Sequence, residues 1–380
     1  MNPMITARDL VSMKLLHYFV TKKNYNPIIV QGVENEIWLE NLDEEYKVVR
    51  IVSNYIHNDE QLDFDAFKTK RMVSKIKRKT FSFKMKVLTI ITDFGDNVDI
   101  SKTYPNISLV FAKDEDTLKD NELLNSVYKD LIGNLEYSEE GFQLFFKISN
   151  ELNEHNKEKA ERTENLFKPK KVVVTYILMT LLIVIYLIQL MGYDAFLVNK
   201  FAVYGPLIKK GEVYRLFTGT LLHGGIFHVA CNVYCLYILG NQIESFFGKT
   251  KMLLIYIFSG LLGSLLSITL SGNAASIGAS GAICGLFGSL IYFGYYYRVY
   301  FGSILKDKII PTVLLNLIIG LTIPGIDNWA HLGGIIGGFL MSMILGIPSE
   351  SNESTLRNRT NGIVITLILT GFLIYLGIIK

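Results

Sequence analysis

The sequence predicts an all-α polytopic membrane protein with an N-terminal soluble α/β domain. Half of its 380 residues are apolar and the mean hydropathy is positive, a level that soluble globular domains rarely reach. The apolar residues are unevenly spread. Charges recur up to about residue 165, and from Val172 onward stretches long enough for helical spans repeat to the C-terminus. The few polar residues left inside those stretches gather at the starts of three of them. Net charge is only +3, so no global case for nucleic-acid binding arises. Cys231, Cys235 and Cys284 all lie in apolar stretches, and a disulfide framework is not expected. The opening "MNPMITARDLVSM" has no charged start followed by an uninterrupted apolar core, so neither a cleaved signal peptide nor a transit peptide is expected.

Residues 1–165 read as a mixed α/β domain ending in a helical connector. Helical spacing runs from Asp9 to Phe19, and strand patterns cover Pro27–Val30, Ile37–Leu39 and Tyr46–Ile51. A basic helix extends from about Phe64 to Lys79, strands return at Met85–Ile91 and Ser108–Phe111, and helices start near Glu122 and Phe142. The polar stretch "ELNEHNKEKAERTENLFKPKK" leads into the membrane past Lys168, Lys170 and Lys171.

Seven spans are expected: Val172–Met191, His228–Ser245, Met252–Leu270, Ser280–Tyr297, Ile309–Thr322, Trp329–Ile347 and Gly362–Ile379, the second and fifth being near minimum length. Lys and Arg flank the first span's start and the ends of the second, fourth and sixth, which assigns that side to the cytoplasm. Lys200, Lys209, Lys210 and Arg215 lie on the other side and weaken the bias without reversing it. The soluble domain is then cytoplasmic and the C-terminal Lys380 outside.

Polar groups inside spans are costly, and by default they are functional candidates. His228 and Asn232 open the second span, Ser280 the fourth and His331 the sixth, three spans of one direction, so all four residues share a depth near the outer face. His228 and Asn232, four apart, project from one helix face. Gly281 and Gly285 in one span, and Gly334 and Gly338 in another, are small-xxx-small pairs that let backbones approach closely. That approach would bring His331 to Ser280 at the ~2.6–3.2 Å a nucleophile and its base require. A serine hydroxyl needs a base to take its proton, and imidazole has a suitable pKa. Ser280 is the expected nucleophile and His331 the general base. The Ser280 backbone N–H at a helix start, with His228 and Asn232, would supply donors to an oxyanion.

"GASG" (278–281), "HVACN" (228–232) and "AHLGGIIGG" (330–338) together resemble the signature of the rhomboid family of intramembrane serine proteases. The resemblance covers about Val172 to Ile347. "GEVYR" (211–215) resembles the family's Glu-x-Trp-Arg stretch, with Tyr214 in the tryptophan's place, and Gly278, Ala330, His223 and Glu244 stand at positions the family commonly fills. The resemblance implies a six-helix catalytic domain over 166–347 in a multi-pass protein of a bacterial plasma membrane, while the cytoplasmic loop and seventh helix over 348–380, read from hydropathy and flanking charge, lie outside the match. It further implies a Ser–His dyad without an acidic third member, no cofactor, metal or nucleotide, and cleavage of client transmembrane segments near the outer face. Glu212 and Arg215 would support the first external loop. The span from Ile309, interrupted by Pro311, Gly320 and Pro324, would be a mobile element admitting substrate. Where many members carry an aromatic residue four positions after the serine, packed on the imidazole, this chain has Cys284.

Other classes fit less well. No His is followed by Glu as a His-Glu-x-x-His metalloprotease requires, "GYD" at 192–194 has no Gly-x-Gly-Asp partner, and no repeat marks a transporter. A rhomboid-like protein that binds client helices without cutting them would lack the serine or histidine. The oligomeric state is not readable. The basic run "KTKRMVSKIKRK" (68–79) reads first as a solvated helix face and second as a dock for anionic lipid, and nothing beside it would read nucleic-acid bases.

Overall fold

A computed structural model describes residues 6–30, 33–82, 84–168, 170–271, 275–298, 301, 304–322, 325–346 and 353–380. The chain divides into two compact units, Met1–Thr163 and Glu164–Lys380.

In the first unit, α1 (Ala7–His17) starts on a capping box between Thr6 and Asp9. A five-stranded sheet follows, built from β1 (Asn26–Ile28), β2 (Glu36–Glu40), β3 (Tyr46–Val52), β5 (Lys86–Ile91) and β7 (Ile107–Phe111), while β4 (Ile56–Asn58) and β6 (Phe94–Asn97) pair separately. The order is β1-β2-β3-β5-β7, antiparallel from β1 to β3 and parallel from β3 to β7. Parallel neighbours need a long crossover, and α2 (Asp59–Lys79) lies on the connection from β3 to β5.

The two-residue period of a strand sorts the sheet's faces. Val49, Ile51, Leu88 and Ile90 join the aromatic core of Tyr18, Phe19, Tyr25 and Tyr128, whereas Val48 and Val87 face Trp38 and the α2 residue Val73. Arg50 lies on the α2 side at 1% exposure, donating to both Asp65 carboxylate oxygens (2.5 and 2.6 Å), to Thr69 Oγ1 (2.8 Å) and to Glu36 (2.7 Å). The strands β4 and β6 escape sequence reading because three or four largely polar residues show no period. The division falls within α3 (Gly141–Phe167), the polar connector.

Among the described residues of the second unit, five helices are long and apolar enough to cross a bilayer by length and composition: Val174–Phe201, Ile226–Phe247, Lys249–Leu270, Asn328–Leu345 and Leu356–Ile379. The first comprises α4 (Val174–Ile188) and a continuation past a wide turn at Gln189–Tyr193. The others are α5 (Ile226–Phe247), α6 (Lys249–Leu270), α9 (Asn328–Leu345) and α10 (Glu353–Ile374) with its C-terminal turn. The two further expected spans are shorter helices, α7 (Ser280–Tyr296) of 17 residues and α8 (Ile310–Thr322) of 13. At 1.5 Å per residue α7 rises roughly 26 Å, close to the hydrocarbon thickness. The second expected span is not short: α5 begins at Ile226, directly after Gly225, and runs 22 residues. Pro324 and Ile347 lie outside the described residues.

The helix α7 packs against α5, α6 and α9. At the start of α4, the buried Glu244 carboxylate from α5 accepts the N–H groups of Val173, Val174 and Thr175 at 2.7–2.8 Å and the Thr175 hydroxyl at 2.8 Å. Those amides have no partner within their own helix, and a negative charge suits that end of its dipole.

Candidate active site

Three helix N-termini meet at one cavity. His228 is the third residue of α5, Ser280 the first of α7 and His331 the fourth of α9, and all three line a cavity of about 730 Å³ together with Asn232, Cys284 and Asp327. Cys231 and Cys235, in no disulfide, form part of the same wall.

Glycine sets the approach of α7 to α9. A Cβ at Gly334 would fall inside the Gly281 carbonyl and one at Gly338 inside the Gly285 carbonyl, while the Ala330 carbonyl stands 3.2 Å from where a Gly281 Cβ would be. The two backbones are thus in direct contact from the Ser280 end inward. Below them Ser342 donates to Ser289 Oγ at 2.8 Å, and Ser289 reaches the Gly285 and Gly338 carbonyls at 3.1 and 3.2 Å.

The loop before α7 presents Ser280. Val203 and Ser276 exchange backbone bonds at 3.0 and 2.9 Å, and Gly278 N–H donates to Gly219 O at 3.0 Å. Gly278 has φ +127°, where L side chains are rare, and a Cβ there would sit 2.8 Å from His228 Nε2 and 3.9 Å from Ser280 Oγ. Only glycine fits between the imidazole and the hydroxyl. Gly224 N–H donates to His228 Nδ1 at 3.3 Å, so the neutral ring carries its proton on Nε2, the atom turned toward Gly278. Asn232 is buried and gives one amide hydrogen to His228 O at 2.9 Å. Ser280 N–H, in the first turn of α7, has no intrahelical acceptor.

His331 is 7% exposed, and its Nδ1 has no hydrogen-bond partner among the described residues. Ser280 and His331 share the cavity without the expected direct hydrogen bond. Catalytic hydrogen bonds are often long without substrate and tighten in the complex. Asp327 caps α9: Oδ1 accepts Ala330 N–H at 2.9 Å, Oδ2 accepts the Ser267 hydroxyl from α6, and its backbone carbonyl accepts His331 N–H at 3.1 Å.

The segment between α4 and α5 is held by ions and a buried amide. Arg215, 4% exposed, donates to Glu212 (2.6 Å) and to the carbonyls of Ala202 (3.2 Å) and Asn199 (2.9 Å), and Tyr214 OH also donates to Glu212 at 2.9 Å. The Arg215 bond, then that of Tyr214, holds the Glu212 carboxyl below the usual carboxylate range. His223 is buried edge-on to the His228 ring at 5.0 Å between centroids, with its backbone N–H and C=O clasped by Gln189 at 3.1 Å each.

The Rhomboid domain model matches residues 210–348. Putative rhomboid protease YdcA of Bacillus subtilis (strain 168) is 32% identical over 138 residues, 36% of this chain and 69% of that protein. The chain belongs to the rhomboid family. Rhomboid protease GluP of the same strain is 28% identical over 371 residues, 92% of this chain and 71% of that protein, so the likeness extends through the first unit. RHOMBOID-like protein 1 of Arabidopsis thaliana is 38% identical over 160 residues, and the chain spans 40% of that relative's length. This rhomboid is a multi-pass membrane protein related to intramembrane proteases.

Sequence reasoning missed Gln189, Ser267 and Asp327. The signal for Asp327 was present, since Asp-Asn four residues before His331 is an N-cap pattern. Gln189 and Ser267 look like ordinary polar residues at the edges of spans, and only the tertiary contacts give them roles.

Proposed function

We propose that this rhomboid is an intramembrane serine endopeptidase that cleaves client transmembrane segments with a Ser280–His331 dyad. The observation that carries the reading is the convergence of α5, α7 and α9 N-termini, with the hydroxyl, the imidazoles and Asn232 on one cavity. Ser280 Oγ attacks the scissile carbonyl carbon while His331 takes the hydroxyl proton. The oxyanion faces the Ser280 N–H, His228 Nε2–H and the Asn232 amide. His331 then protonates the departing amine, and a water activated by the same imidazole hydrolyses the acyl-serine. Each oxyanion donor contributes about 10²–10³-fold in turnover in other enzymes, and three donors share the charge here. Cys284 stands on the same cavity wall as His331, at the position where many rhomboids carry an aromatic ring.

The basic span flanks support a cytoplasmic first unit, an outward-facing cavity and an outside C-terminus. On that topology residues 1–165 recruit or regulate, residues 166–347 cut, and 348–380 add a seventh span whose Leu373 packs with Val203, Leu216 and Leu262. Cysteine labelling of both termini tests it, and labelling from the same side refutes it.

Comparing new protein termini in membranes carrying wild type or Ser280→Ala tests the chemistry. Client fragments should appear only with wild type, and His331→Ala or the double variant should match Ser280→Ala, because members of one catalytic unit are not additive. Substantial cleavage by Ser280→Ala refutes the serine mechanism. Clients retained but uncut by wild type indicate a binding protein instead.

A further inference from the structure

The helix α2 has two faces of different chemistry. Its inner face buries Leu62, Asp65, Ala66, Thr69 and Val73 on the sheet. Its outer face carries Phe64, Phe67, Lys68, Arg71, Lys75 and Arg78 at i, i+3, i+4, i+7, i+11 and i+14, all exposed. At 100° per residue they share a sector of roughly 100°. Phe64 and Phe67 are each 62% exposed, and Lys68 Nζ lies 5.5 Å from the Phe64 ring centroid. Of residues 68–79, seven are Lys or Arg and none is acidic.

A solvated face accounts for the cations but not for two neighbouring phenyl rings in line with them. A bilayer surface accounts for both, because rings enter the headgroup–acyl boundary while ammonium and guanidinium groups meet lipid phosphates. The same chain also crosses the bilayer, so lipid is tethered to α2 at high effective concentration and weak contacts suffice. We propose that the outer face of α2 docks on an anionic lipid surface, with Phe64 and Phe67 inserted and Lys68, Arg71, Lys75 and Arg78 on phosphates. Neither the protease reading nor the topology of the spans is needed for this assignment.

The test uses the full-length chain carrying Phe67→Trp, reconstituted into vesicles whose lipids have brominated acyl chains, with the wild-type protein giving the background of Trp38 and Trp329. Each close Lys or Arg is worth roughly fivefold, so Lys68→Glu/Arg71→Glu/Lys75→Glu should weaken docking on the order of a hundredfold or more. The added indole should be blue-shifted and quenched in vesicles containing phosphatidylserine. Quenching should be lost in purely zwitterionic vesicles, in the charge-reversed variant and at about 1 M salt, where screening is complete within a few ångströms. An unquenched indole in the anionic vesicles, or quenching indifferent to the charge reversal, overturns the proposal. So does protection of that indole by duplex DNA alone, which would assign the face to nucleic acid.

Discussion

The β3–β5 sheet of the first unit and the α7–α9 contact of the second are both buried and positioned without error by the fold, yet they are made in opposite ways. In the sheet, large side chains fill the space: Tyr18, Phe19, Tyr25 and Tyr128 stack edge to face, and Tyr25 OH bonds to Tyr46 O at 2.5 Å. Along the α7–α9 contact the backbones touch through Gly281, Gly285, Gly334 and Gly338, where no side chain comes between them. Solvent explains the difference. In water, apolar area removed from solvent drives packing, so bulk is favourable. In lipid that drive vanishes, and close backbone contact with a few hydrogen bonds holds helices together. Truncation should therefore injure the first unit and enlargement the second.

The sharpest challenge is Gly338→Leu. Its Cβ overlaps the Gly285 carbonyl, a rigid atom, so the helices must part and the cost exceeds the about 1–3 kcal/mol of ordinary overpacking. Thermal unfolding in detergent should show loss of the second unit's transition together with all cleavage. Gly133→Ala is the control in the first unit: nothing lies within 4 Å of the added methyl, and stability should hold or rise slightly. A stable, active Gly338→Leu protein would end the backbone-contact account.

Next comes Arg50→Met, which removes charge and leaves the Glu36 and Asp65 carboxylates buried at 3% and 12% side-chain exposure. Stranding such partners costs about 3–5 kcal/mol. Urea unfolding followed by Trp38 fluorescence in a Trp329→Phe background should register that loss, whereas cleavage of a generic substrate in detergent should persist. Equal damage to cleavage would mean that the two units do not behave as independent bodies.

These contrasts also show what was legible beforehand. Glycine pairs at i, i+4 and polar residues at span starts are visible because the bilayer makes polar and small residues rare events, so Ser280, His331, His228 and Asn232 stood out. The Arg50 network was invisible: nothing local in "YKVVRIV" says that Arg50 points inward toward Asp65, fifteen residues on. Helix α7 was legible as an apolar segment, but the true start of α5 was not, because the polar His228 draws the eye to itself while the helix begins two residues earlier, directly after Gly225, with Ile226 and Phe227 exposed. The sequence spacing of Asp327 to His331 was available, but its bond to Ser267 crosses between helices.

A smaller effect is expected at Asp327. Asp327→Ala loses the Ala330 cap and the Ser267 bond, worth about 0.5–2 kcal/mol by analogy with other N-caps, and loosens the turn that carries His331. Asp327→Asn keeps an acceptor for the Ala330 N–H and should recover most of that stability. Turnover should fall more than apparent substrate affinity in the alanine variant and recover in part with asparagine. A fall confined to KM would mean that the cap shapes the cavity mouth rather than the imidazole.

The smallest expected effect concerns pH and belongs to the first unit alone. His17 Nε2 lies 2.8 Å from Glu151, and its Nδ1 lies 2.7 Å from Tyr137 OH, with Lys22 and His155 also facing the ring. Burial lowers the His17 pKa first, Glu151 opposes it, and Lys22 and His155 add to the lowering, so the ring stays below the ordinary imidazole value. The neutral ring satisfies both neighbours, donating from Nε2 to Glu151 and accepting at Nδ1 from Tyr137. Because the folded protein binds this proton less readily than the unfolded chain, stability is full above about pH 6.5. It declines as pH falls from there through the folded value, no more steeply than the about 1.4 kcal/mol per pH unit of one proton. Urea midpoints of the first unit at pH 7.5, 6.5 and 5.5 should therefore fall in that order, and His17→Gln should flatten the decline. If the His17→Gln protein keeps the full slope, another group titrates there and the ring is only a spacer between α1 and α3.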